Sequence, residues 1–362
     1  MLASSGRSSD LFFGNHVIKS EESIQQGDPL GPLLFCLSLL GPLQLLHSPF
    51  QIAFLDDVTI GGALPIVLQD INTLVKSSSS IGLSLNTSKS EVVGGSQTTL
   101  SSFLSLHPTF KQVDVTYLTL LGTPLHINGL ECALKDKCDD LTRVVSRLKL
   151  LPFHDCLFLL KNIFSIPKLL YILRTAPTFL SPTLSLYDNI LSNSISSLFN
   201  VSLSIDSSLQ ASLPVRLGGL GIRGAVVLAP SAFLASVRST SDLSDLLLSA
   251  SNKLQPDALY PLAWQHWQAI APTDSLMTAP AGDAAHSQRE WDHPLCTALA
   301  DSLLARCATP AHQARLLAVR SPWAGDWLQA VPATNLGLHL DDATVTISLA
   351  LRLGAHAVHA HT

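Results

Sequence analysis

The sequence predicts an α+β fold: an antiparallel sheet with packed helices up to about residue 125, followed by a mainly helical region. Three observations predict it. Before residue 125, apolar residues fall in short runs punctuated by turn-forming residues, the pattern of paired strands. From 131 to 200 they recur at helical spacing, broken by Pro152, Pro167, Pro177 and Pro182, so helices joined by proline-containing turns are expected. Residues 271–286, APTDSLMTAPAGDAAH, have the small, polar and proline-bearing composition of a linker. The expected regions are therefore 1–125, 126–224 and 225–362, the last containing the linker.

Taken in order, LFFGNHVIKSEESI (Leu11 to Ile24) predicts two short strands about a turn at Gly14 and Asn15. The apolar run Leu30 to Leu46 predicts a buried core helix. It is short for a membrane span, carries Pro32 and Pro42, and has no basic flank, so no membrane partner is expected. QIAFLDDVTIGG predicts a hairpin with its two aspartates at the tip, and LPIVLQDINTLVKSSSSIG a helix closed by the serine run and Gly82. LSLNTSKSEVVGG and VTYLTLLGTPL each predict a strand beside polar turn chemistry. A glycine-rich corner, LPVRLGGLGIRG, then leads into a helix over 225–250, and the remainder reads as mostly helical.

The composition is 47% hydrophobic and only 14% charged, with a mean hydropathy of +0.33. Such a chain has apolar surface to offer a protein partner. The formal charge is −5, so the positive footprint of an autonomous nucleic-acid binder is missing from the chain as a whole. No lysine or arginine stands between Lys19 and Lys76. The six cysteines form no CxxC pair and read as reduced thiols; with a polar N-terminus, MLASSGRSSD, this predicts an intracellular protein of the cytoplasm or nucleus.

The chemistry concentrates in FLDD, Phe54 to Asp57. Adjacent carboxylates where a strand turns can hold hard divalent cations, and two such ions can clamp a phosphoryl displacement. An aspartate pair closing a hairpin is also ordinary turn chemistry. What distinguishes this one is motif order: QGDPLGPLLF (Gln26 to Phe35) precedes it, and GLSLNTSKSE (Gly82 to Glu91) and the Leu-Gly of YLTLLGTPL (Tyr117 to Leu125) follow it. In that order the chain resembles the reverse transcriptases of non-LTR retrotransposons, RNA-directed DNA polymerases. Their palm carries a QG-x-P-x-SP-x-LF segment, an aromatic-x-DD hairpin, a G-L-x-L-N-x-x-K-x-E segment and an LG turn. The resemblance covers residues 11–125 and extends more loosely into thumb-like segments at 151–177 and 213–236.

The resemblance implies a partial polymerase palm over residues 1–125, a thumb-like connection to 224 and a mainly helical C-terminal region. It implies Mg2+ as cofactor, with Asp56 and Asp57 as metal ligands. Lys89 would assist the leaving pyrophosphate, Gln26, Gly27, Pro29, Gly31 and Pro32 would lie against nucleotide and template, and Leu121 and Gly122 would form the primer grip. RNA template and DNA primer would be the partners of an intact enzyme. Equally simple readings make Lys89 a solvated loop lysine and Leu121-Gly122 a plain hairpin turn.

The departures from the family pattern are informative. Gly31-Pro32 replaces Ser-Pro. The family places another catalytic aspartate several dozen residues before the QG segment, whereas Asp10, the one aspartate among the first 25 residues, stands too close to the hairpin. The fingers are missing as well. The expectation is a reverse transcriptase homologue without unaided polymerase activity; the competing one is a retained scaffold that contacts RNA or protein without chemistry. His356, His359 and His361 lack the cysteines and spacing of a zinc site, and WQHWQ around Trp264 and Trp267 reads as helix packing.

Overall fold

A computed structural model describes residues 9–20, 29–247, 259–272 and 278–357. The fold is α+β, with strands concentrated before residue 125 and helices dominating after it. The chain divides into two compact units, 1–121 and 122–362. Residues 122–357 thus belong to one unit, across the boundary at 224/225 that the sequence suggests.

The N-terminal unit opens with an antiparallel hairpin, β1 (Ser9–Phe13) and β2 (His16–Ser20), whose two-residue turn places Gly14 at φ 59. Asp10 and Lys19, opposite one another in the ladder, form a 2.6 Å ion pair. α1 (Gly31–Gln44) starts with Pro32 in its first turn, where a missing N–H costs nothing. A core helix was expected here, but only Gly31, Leu39 and Pro42 of α1 are buried, while Leu33, Leu37 and Leu40 lie open. Its apolar residues surround the axis, so whichever stripe packs, the others stay outside. The hairpin β3 (Phe50–Phe54) and β4 (Asp57–Gly61) follows, then α2 (Leu64–Ser79).

A buried carboxylate ties this unit together. Asp70, on α2 and fully buried, accepts hydrogen bonds from the His47 N–H (3.0 Å), the Ser48 N–H (2.7 Å) and the Ser48 hydroxyl (2.6 Å). Burial by itself would raise the carboxyl's pKa; these donors and the nearby His47 outweigh it and hold the group below its ordinary value. Next come β5 (Glu91–Val92), α3 (Gln97–Leu106), β6 (Lys111–Gln112) and β7 (Thr119–Leu120). β5 pairs with β6 in parallel. Among the described residues every sheet is two-stranded, so the strands form separate ribbons. Of the strand expected in LSLNTSKSEVVGG, only the two residues of β5 form; ahead of them Gly82 (φ 80) turns the chain and Asn86 bonds locally to Ser88 and Lys89, offering the backbone an alternative to a ladder.

The C-terminal unit is helical. After β8 (Thr123–Pro124) come α4 (Ile127–Leu148), α5 (Phe153–Leu159), α6 (Ile166–Thr175) and α7 (Thr183–Phe199), then β9 (Val201–Ser202) and α8 (Ile205–Ser212). The prolines that break the helical period mark helix starts: Pro152 precedes α5, Pro167 lies in the first turn of α6, and Pro182 precedes α7. A π-helical turn, Leu160–Phe164, joins α5 to α6. The run 153–175 is long and apolar enough to cross a membrane, yet its Leu157, Leu160, Leu169 and Leu173 are buried in the core of the unit.

The chain continues through α9 (Ala225–Leu247), α10 (Leu259–Ile270), α11 (Gln288–Ala305), α12 (Pro310–Val319), α13 (Asp342–Leu353) and β10 (His356–Ala357). Trp267 and Trp291 are fully buried; the Trp267 indole donates to the Trp291 carbonyl (2.9 Å) and the Trp291 indole to the Ala285 carbonyl (2.7 Å). WQHWQ is therefore packed structure. Ala285 belongs to the segment expected as linker; it alone of its 3-10 turn, Gly282–His286, is buried, and its carbonyl takes the indole bond.

The glycine-rich corner is a packing junction. A Cβ on Gly219 would fall 2.0 Å from the Leu213 carbonyl oxygen. The buried guanidinium of Arg352 on α13 donates to the carbonyls of Gly219 (3.0 Å), Ala324 (3.0 Å) and Val215 (2.8 Å), and a Cβ on Gly325 would fall 3.0 Å from its Nη2. β10 pairs with β9 through His356 and Ser202; His359 and His361 lie outside the described residues.

Candidate active site

The β3–β4 hairpin presents the aspartates. In its register Phe54 pairs with Asp57, leaving Leu55 and Asp56 as the two turn residues. Asp56 therefore stands at the tip and Asp57 at the first position of β4, and both are exposed. Leu55 takes φ 55. This left-handed region suits glycine in two-residue hairpins and costs a branched side chain about 1–2 kcal/mol. Strain is thus stored at the residue directly before Asp56. Among the described residues neither carboxylate has a side-chain hydrogen-bond or ion-pair partner. Strand alternation puts Phe50, Ile52 and Phe54 on one face, and all three are exposed.

Gln26 and Gly27 lie outside the described residues. Pro29 is exposed just ahead of α1, Gly31 is its buried first residue, and Pro32 follows, exposed. Lys89 is exposed in a turn where its N–H meets the Asn86 carbonyl (3.2 Å). It forms no ion pair with either aspartate. Leu121 (φ 49) and Gly122 (φ 80) are consecutive left-handed residues, the dihedral signature of a tight hairpin turn.

The described residues by themselves do not complete a magnesium centre. Magnesium takes six oxygens, and a two-ion site needs carboxylates that bridge both ions. Among the described residues no group of three or more His, Cys, Asp or Glu side chains is placed to hold a metal ion. Asp10 is engaged with Lys19. Among the described residues Asp56 and Asp57 have no third carboxylate grouped with them.

Two features escape the motif reading. Asp70, in the middle of a helical apolar pattern, carries no sequence signal beyond being a charge on an apolar stripe. The second is an open cavity of about 590 Å3 in the C-terminal unit, lined by Lys161, Arg216, Arg223 and Arg289 among others. Arg216 and Arg223 flank LGGLGI, and that pairing is the only local hint of it. No protein-family model matches the chain, and no curated protein does.

Proposed function

We propose that this chain carries the second half of the palm and the thumb-like region of a non-LTR retrotransposon reverse transcriptase, without a self-sufficient catalytic centre. The observation that carries the reading is the β3–β4 register, which sets Asp56 in a strained two-residue turn and Asp57 beside it on a strand edge. With that geometry go a helix starting at Gly31-Pro32 and a left-handed Leu121-Gly122 turn, in the order the resemblance implies. Asp56 and Asp57 would be this chain's share of a magnesium site that other carboxylates must complete. RNA template and DNA primer would be the partners of the completed enzyme.

The test is photo-cross-linking of the full chain to an RNA–DNA hybrid with a photoreactive base at the primer 3′ end. Cross-links within 54–57 and 119–124 are expected. Cross-links confined to other segments, or none, overturn the proposal.

A second reading, a scaffold without chemistry, draws on the open face of Phe50, Ile52 and Phe54, which offers a partner apolar surface. It predicts protein association that survives Asp56→Ala and no cross-link at 54–57.

A further inference from the structure

The 590 Å3 cavity in the C-terminal unit lies among α6, α9, α11 and the corner before α9. Its apolar walls are Ile166, Pro167, Leu170, Pro214 and Leu228, and its charges are Lys161, Arg216, Arg223 and Arg289 against the single carboxylate of Asp292. Four cations less one anion leave a local excess of three positive charges, in a chain whose formal charge is −5.

Little of that charge is compensated. Lys161 donates to the Leu328 carbonyl (2.9 Å) and the Gln329 side-chain oxygen (3.2 Å), both neutral acceptors. Burial, and then repulsion from Arg352, push the Lys161 pKa down, as expected of an ammonium lacking a counter-ion. Arg216 contacts the imidazole of His293 (2.8 Å) and no carboxylate. Arg223 is the one paired cation, bonded to Asp292 (2.5 Å) and the Ser212 carbonyl (2.6 Å), and its Nε is buried without a hydrogen-bond partner. Arg289 is exposed and forms no ion pair among the described residues. Gly221, at φ 77, keeps this wall open: a Cβ there would fall 3.2 Å from Lys161 Cε and 3.3 Å from Val215 Cγ2.

From the cavity's size, its apolar walls and its uncompensated guanidinium and ammonium groups, we infer that it binds a small polyphosphate-bearing ligand of the nucleoside polyphosphate class. Cavities of about 300–1,000 Å3 suit ligands of nucleotide size. Guanidinium groups match phosphate oxygens bidentately, and a lysine adds a point charge. The apolar wall of α6 and α9 would take the flat base. The inference does not depend on the palm reading, since every residue it uses belongs to the other unit. The competing ligand is a single-stranded RNA, because Phe164 and Lys168 of the same helical run line a second basic cleft with Lys137, Arg143 and Arg147.

The experiment is titration of the full chain at low salt with ATP, adenosine, inorganic tripolyphosphate and a short single-stranded RNA, repeated on an R216Q/R289Q double variant. Saturable ATP binding is expected, displaced by tripolyphosphate and at least about tenfold tighter than adenosine. The double variant should weaken it at least about tenfold with an unchanged melting temperature. No saturable binding at about 1 mM ATP overturns the inference, as does adenosine binding equal to ATP. So does RNA that displaces ATP and binds more tightly than it, or an R216Q/R289Q variant that binds ATP as the parent does.

Discussion

The two units differ in what holds them. In the C-terminal unit, Trp267, Trp291, Phe199 and a series of leucines are buried whole in one core running from α4 to α13. In the N-terminal unit the buried large apolar side chains among the described residues are Leu39, Leu46, Ile71, Leu100 and Phe103, while Phe12, Phe13, Phe50 and Phe54 stand in the open. At roughly 1.5–3 kcal/mol for each fully buried large side chain, the first unit rests on a small apolar term and leans on polar ties such as Asp70. The candidate chemistry sits in this less consolidated unit. The unit with the larger core holds the cation-lined cavity.

Trp267→Ala tests the strong side of that contrast. It removes a fully buried indole and its bond to the Trp291 carbonyl, and should cost about 3–5 kcal/mol. In denaturant unfolding only the transition of the C-terminal unit should move; a shift of both would tie the two cores together.

Asp70→Asn tests the weak side. It leaves the Ser48 and His47 donors facing an amide in place of a carboxylate and should destabilise the N-terminal unit by about 2–3 kcal/mol. The folded pKa of Asp70 lies below its unfolded value of about 3.9, so its contribution is present above that pH and lost as pH falls through the folded pKa. Acid unfolding followed by hydrogen exchange around His47 and Ser48 should show this loss in the parent, and Asp70→Asn should abolish it.

The smallest expected effect is a gain. Leu55→Gly relieves the left-handed strain in the β3–β4 turn and should stabilise the hairpin by about 1 kcal/mol, less the added entropy of glycine in the unfolded chain. A hairpin that loses stability on this change would show that the Leu55 side chain contributes more than its backbone costs.

Where local chemistry decides, the sequence is readable. Gly14-Asn15 and the FLDD tip fall on the turns expected of them, and the prolines of 151–183 start helices because a ring without an N–H is best placed in a first turn. Where tertiary packing decides, it is not. The Leu30–Leu46 run is apolar on all sides, and nothing in its period tells which stripe is buried; most of it is exposed. Residues 282–286 have linker composition and are mostly exposed, yet Ala285 among them is buried, its carbonyl bonded by an indole 6 residues away. The aspartate pair could be located from its motif, but its strain, its exposure and the separation of the strands into ribbons could not. The basic cavity gathers residues from 161 to 289, a spacing no local pattern records.

The central claim is that these carboxylates do not suffice for catalysis by this chain alone. Magnesium-dependent primer extension on an RNA template by residues 1–362, beside Asp56→Ala, tests it most directly. The account predicts that the two proteins are indistinguishable from background; extension by the parent that vanishes in Asp56→Ala would contradict it.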